Sequence, residues 1–134
     1  MVGNWNNSNY GKQLKLEFDS FENIYLLEPI YNQNILNQLR SNCYLYIHGH
    51  SAGGTNPSLV EAMHLELPIL AYDVAYNLET THQKALYFNN SKTLTSLLKS
   101  VQDHNLVKTS KALKAIADEF YTWDIITKQY ASLF

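Results

Sequence analysis

"HGHSAGGTNPSLVEAM", residues 48–63, is the stretch that decides how this chain of 134 residues folds. The run "CYLYIHG" (43–49), rich in aromatic and β-branched residues, predicts a strand that leads into it. Small residues follow, and Asn56 and Pro57 then open a helical pattern over 56–66, because Asn caps helices well and Pro suits the first helical position. The stretch therefore predicts a strand, a glycine-rich loop and a helix N-terminus.

The same alternation continues on both sides of this stretch. Further strands are predicted at "NIYLLEPI" (23–30), "PILAYD" (68–73) and "KALYFN" (84–89), and helices at 10–18, at 32–42 and three times after residue 90. Strands that alternate with helices imply parallel strands joined by right-handed crossovers. Ligands of such sheets bind at the carboxyl ends of the strands, where residues 29–31, 48–57 and 73–80 fall.

Composition and charge limit the classes of function. The net charge of −2 argues against nucleic-acid binding, and Arg40 is the only arginine, so this chain cannot build a clamp of several arginines. Cys43 is the only cysteine, which excludes an internal disulfide, and its apolar neighbours predict a buried thiol. With no leader pattern or spanning segment, we expect a cytoplasmic protein, and peripheral membrane contact stays open.

Two histidines in the stretch raise the question of a metal. His48 and His50 offer two imidazoles, but a catalytic zinc site usually has three protein ligands, and no Cys or carboxylate lies nearby in sequence. We therefore expect neither a metal nor a cofactor.

A hydrolase nucleophile is a second alternative. "GHSAG" (49–53) matches the Gly-x-Ser-x-Gly pattern, with Ser51 or Ser58 as the nucleophile and Asp73 and His82 as its partners. In a hydrolase this turn enters a helix directly, whereas "GGTNP" delays the helix here.

A phosphate site fits the pattern better. A glycine-rich loop before a helix presents unpaired backbone N–H groups to an anion, and Gly53 and Gly54 allow a close approach. Glu61, about one turn into the helix, can accept hydrogen bonds from a sugar diol, as acidic residues do for ribose in dinucleotide folds. The spacing favours a nucleotide with its diphosphate at the helix start, and a solvated surface loop is the alternative.

The stretch 48–63, with "LPILAYDVAYNLET" (67–80) and "ALYF" (85–88), closely resembles the C-terminal half of group 1 GT-B glycosyltransferases. The nearest branch is the bacterial rhamnosyltransferase-like enzymes of cell-surface polysaccharide synthesis. The resemblance runs over essentially the whole chain. It implies an α/β fold, a Rossmann-like parallel sheet flanked by helices that lacks its first strand–helix unit, with residues 1–134 as a partial nucleotide-sugar (donor) binding domain.

The resemblance also assigns site residues. Glu61 matches the second glutamate of the family's Glu-x7-Glu signature, which holds the ribose, while the first glutamate falls where this chain has Gly53. The sugar contact is then absent or made by another residue such as His50. The base would lie against the segment after Pro29. The substrate-binding residues implied are His50, Gly53, Gly54, Thr55, Asn56, Ser58, Leu59, Glu61, Ile30 and Tyr31.

The activity implied is a retaining transfer of a sugar, rhamnose in the nearest branch, from a nucleotide diphosphate sugar to a growing polysaccharide. The family's basic pair and its domain for the saccharide or lipid-linked acceptor would precede Met1. We therefore assign no catalytic residue and expect the chain alone to be inactive, with exposed apolar surface that favours a homo-oligomer. The alternative is a non-catalytic nucleotide-binding or interaction module of the same topology.

Overall fold

The computed structural model describes residues 1–134 and alternates helices with short strands. In chain order the elements are α1 (Asn9–Phe18), α2 (Gln33–Ser41), β1 (Tyr46–His48), α3 (Pro57–His64), β2 (Ile69–Tyr72), α4 (Ala75–Thr80), β3 (Leu86–Phe88), α5 (Ser91–Lys99), a 3-10 turn (Val101–Asp103), α6 (Leu106–Phe120) and α7 (Trp123–Ala131). The chain divides into two compact units, Met1–Leu39 and Arg40–Phe134. None of the helices is both long and apolar enough to cross a membrane.

The first unit is held together around Trp5. The indole Nε1 of Trp5 donates a hydrogen bond to the carbonyl oxygen of Leu27 (2.8 Å), and Val2 and Leu27 form a single parallel bridge. Helix α1 confirms the helix predicted at 10–18. The strand predicted over 23–30 is wrong in extent, because within that run only Leu27 forms a β-bridge to another segment, and a strand needs a neighbour along its length.

The second unit contains a three-stranded parallel sheet in the order β1-β2-β3. Tyr46 pairs with Ile69 and His48 with Ala71, and Ala71 in turn pairs with Tyr87, so these side chains share one face of the sheet. The parallel order with helical crossovers confirms the predicted α/β class. All three strands are shorter than the predicted runs at 43–49, 68–73 and 84–89.

Helices α3 and α6 pack together over that face of the sheet and form the hydrophobic core. Their buried side chains recur at helical spacing, which is why the periodicity of the sequence located both helices. The fully buried members are Leu59, Ala62 and Met63 of α3, Ile69 and Ala71 of β2, and Leu113 and Ala117 of α6. Cys43 corrects a prediction: it is exposed, because β1 begins three residues later and residues 43–45 of the predicted strand lie outside the sheet.

Candidate functional site

The loop 49–56 joins the carboxyl end of β1 to the N-terminus of α3. Asn56 caps the helix, since its side-chain oxygen accepts a hydrogen bond from the N–H of Ser58 (2.9 Å), and Pro57 occupies the first turn as predicted. Gly53 has a φ of 117°, in the region that favours glycine. No hydrogen bond in the structure uses the backbone N–H of Gly53 or Gly54, so both remain available to an anion.

Two side chains of α4 anchor this loop. The buried amide of Asn77 donates through Nδ2 to the carbonyl oxygens of His50 (3.0 Å) and Tyr72 (2.9 Å), which fixes the start of the loop against the end of β2. Near the other end of the loop, the hydroxyl oxygens of Thr80 and Thr55 lie 3.3 Å apart, within hydrogen-bond distance. The sequence predicted neither this anchoring role nor a helix within 73–80, because a helix of six residues gives too short a periodic signal.

Glu61 lies one turn into α3 and forms an ion pair that the sequence did not indicate. Nη1 of Arg40 donates to Oε2 of Glu61 at 2.5 Å. The side chain of Arg40 is 14% exposed and that of Glu61 41% exposed, so the guanidinium is largely withdrawn from water while the carboxylate is still accessible. Because 21 residues separate the partners, no local spacing rule predicts the pair.

The same face of α3 lines an open groove of about 540 Å³ toward the start of α7. Pro57, Val60, Glu61 and His64 follow one another at helical spacing along the groove. His64 also joins α3 to α6, since its Nδ1 lies 3.1 Å from Oδ1 of Asp118. The remaining lining residues are Thr55, Tyr121, Thr122, Trp123 and Ile126.

The two histidines occupy different environments. His48 is buried, and its ring stacks on that of the exposed His50 with 5.0 Å between centroids. Burial first, and the neighbouring His50 second, lower the pKa of His48 to about 4, so that it is neutral at pH 7. Its Nδ1 lies 3.5 Å from the hydroxyl of Tyr46, while Nε2 has no hydrogen-bond partner.

Neither alternative chemistry gains support from this geometry. No three His, Cys, Asp or Glu side chains come close enough together to hold a metal ion. No histidine is hydrogen-bonded to Ser51 or Ser58, and His82 instead packs its ring against Phe120, with 4.7 Å between centroids. The loop also enters its helix only at Pro57, six positions after Ser51, unlike the tight turn of a hydrolase.

The structure places the predicted site residues in four settings. His50, Gly53, Gly54 and Thr55 are exposed along the loop; Asn56, Ser58 and Glu61 are half-buried at the helix start. Leu59 lies in the core, so its side chain is withdrawn from the surface. Ile30 and Tyr31 belong to the first unit, where Tyr31 is exposed and Ile30 half-buried, and their role at the base stays a prediction.

Comparisons with known proteins place the fold. No protein-family profile matches the chain, and no curated protein matches it in sequence. Among solved structures, it is similar to the pneumococcal O-GlcNAc transferase GtfA, crystallised in complex with UDP and GlcNAc, with a TM-score of 0.68 and 19% sequence identity. The match covers 90% of this chain but only 26% of the transferase, so the chain spans about a quarter of that protein. The chain therefore has the fold of part of a GT-B glycosyltransferase.

Proposed function

We propose that the second unit is the nucleotide-binding part of the donor site of a glycosyltransferase, with a uridine diphosphate sugar as its ligand. The observation that carries the proposal is the position of Glu61. Its accessible carboxylate lies one turn after a capped helix N-terminus whose preceding loop has unused backbone N–H groups. A diphosphate at the N–H groups and a ribose at the carboxylate match this spacing. The UDP found in the GtfA structure supports the choice of nucleotide.

In this arrangement the loop and helix start stabilise negative charge. When the glycosidic bond to the donor breaks, the departing diphosphate gains charge, and oriented N–H groups with the positive end of the α3 dipole stabilise it. Arg40 of α2 is already paired with Glu61, and the loop 49–56 itself carries no lysine or arginine. We propose that the basic groups for this step, and the acceptor site, belong to other parts of a longer enzyme.

Several finer expectations belong to that longer enzyme. They are a retaining mechanism, rhamnose as the sugar and a cell-surface polysaccharide as the acceptor. We also propose that the longer enzyme acts in the cytoplasm, contacts a membrane peripherally and self-associates. The exposed apolar side chains of Trp123 and Tyr130 in α7, and of Leu133 after it, are consistent with a covered surface in the assembled protein.

Calorimetry of the 134-residue chain with UDP, GDP and dTDP tests the proposed nucleotide site. Wild type is expected to bind UDP best, and Glu61→Ala to weaken UDP binding by roughly 10- to 100-fold, the value of hydrogen bonds to a charged group. Glu119→Ala is the matched control, because it removes an exposed carboxylate of α6 outside the groove. An absence of binding at millimolar UDP, or equal affinities of wild type and Glu61→Ala, contradicts the proposal.

One observation favours the alternative of a non-catalytic nucleotide-binding module. Gly53 lies where the resemblance places the glutamate that contacts the donor sugar. Its φ of 117° disfavours any residue other than glycine there. A donor site is expected to bind UDP-GlcNAc or another UDP-sugar at least as tightly as UDP. A non-catalytic module is expected to bind UDP and to reject every UDP-sugar.

A further inference from the structure

We propose that Arg40 is a positioning residue for the nucleotide site, and that it fixes the carboxylate of Glu61 so that one oxygen is presented to a ribose hydroxyl. This inference rests on the proposed function, since it assigns Arg40 a part in the same site.

The ion pair occupies only one of the two carboxylate oxygens of Glu61. Arg40 Nη1 donates to Oε2, which leaves Oε1 outside the pair. A glutamate side chain on a helix surface has three rotatable bonds, and ordering it on ligand binding costs conformational entropy. A guanidinium that already holds the carboxylate removes much of that cost before the ligand arrives.

The surroundings of Arg40 make it a fixed partner. The side chain of Arg40 is 14% exposed, far less than the 37% and 38% of the lysine side chains in the pairs Lys15–Glu28 and Lys114–Asp118. A withdrawn guanidinium is screened by salt less than an exposed ammonium, which favours a persistent hydrogen bond to Glu61. Arg40 lies in the last turn of α2, next to Ser41, where α2 ends.

Tyr46 supports this placement from β1. Burial raises the pKa of its hydroxyl, while the charge of Arg40 lowers that pKa and the charge of Glu61 raises it. Both members of the pair therefore lie within electrostatic reach of a half-buried phenol, whose hydroxyl in turn lies 3.5 Å from Nδ1 of His48. Glu61 therefore lies near Tyr46 and also lines the groove, and its side chain is still 41% exposed, which leaves it accessible to a ligand.

A comparison of the affinities for UDP and for 2′,3′-dideoxy-UDP distinguishes a positioning role of Arg40 from a purely structural one. The ratio of the two affinities measures the contact with the ribose hydroxyls, and a loss of fold or of the diphosphate contact lowers both affinities together. Wild type is expected to prefer UDP by about tenfold or more, as for a hydrogen bond to a charged acceptor. Arg40→Gln is expected to reduce that preference to less than about threefold and leave the affinity for the dideoxy compound within about twofold.

Three further variants complete the experiment. Arg40→Lys keeps the charge and loses the planar fork, so an intermediate preference is expected. Glu61→Asp keeps the carboxylate, withdraws it by one methylene and is expected to lose the preference in a folded protein. Lys111→Gln removes one exposed positive charge from α6 and controls for net charge, with no expected change.

The outcomes distinguish the two proposals. An Arg40→Gln protein that retains the tenfold preference, or that binds both nucleotides more tightly, overturns the role of Arg40 while leaving the nucleotide site intact. A wild type that binds neither nucleotide, or binds both equally, overturns the nucleotide site and with it the role of Arg40.

Discussion

Removal of the Asn77 amide is the sharpest test of how the loop 49–56 is held. Asn77 is fully buried, and its Nδ2 donates to the carbonyl oxygens of His50 at 3.0 Å and Tyr72 at 2.9 Å. At about 1 kcal/mol for each hydrogen bond, Asn77→Ala is expected to lower the free energy of unfolding by about 2 kcal/mol. Asn77→Asp is expected to cost more, because a buried carboxylate would face two carbonyl oxygens without a donor.

Urea denaturation followed by far-ultraviolet circular dichroism measures both variants, and the comparison holds where the slope with urea is unchanged. Gln102→Ala removes an exposed amide elsewhere in the second unit and is the control, with an expected change within about 0.5 kcal/mol. The reasoning is refuted if Asn77→Ala is as stable as this control, or if Asn77→Asp is more stable than Asn77→Ala. Either result would mean that Asn77 does not stabilise the fold through these two hydrogen bonds.

Two further predictions concern His48 and Gly53. Because the folded-state pKa of His48, about 4, lies below its ordinary value of 6.5, the neutral ring stabilises the fold above pH 6.5. That stability, up to about 3 kcal/mol, is lost as the pH falls from 6.5 to 4. His48→Phe should therefore reduce the dependence of the free energy of unfolding, measured with urea, on pH in this range. Equal dependence on pH in the two proteins would contradict the assignment. Gly53→Glu should lower the free energy of unfolding by about 1 kcal/mol, since its φ is 117° although a Cβ meets open space. Gly54→Glu, without the positive φ, should cost nothing, and equal losses at 53 and 54 in the same assay would refute the conformational argument.

The sequence by itself determined the order of strand, loop and helix around residue 48. A capping Asn, a proline in the first helical turn and apolar residues at a helical period act through neighbours a few positions away, so the pattern alone located α3 and placed Glu61 one turn inside it. The parallel direction of the three strands followed from the alternation of strands with helices. Strand lengths did not follow, because a strand ends where its neighbour stops pairing.

Only the tertiary structure decided what surrounds these elements. The pairing of Arg40 with Glu61 and the bonds from Asn77 to the loop join residues that no local period relates. The burial of His48 beside an exposed His50 also depends on which elements cover each ring. The exposure of Cys43 was likewise not predictable from local sequence, since an apolar run predicted burial although the thiol lies outside the sheet. Local patterns locate the helices because helical hydrogen bonds are local, whereas the extent of a strand and the partners of a side chain depend on which distant segments the core brings together.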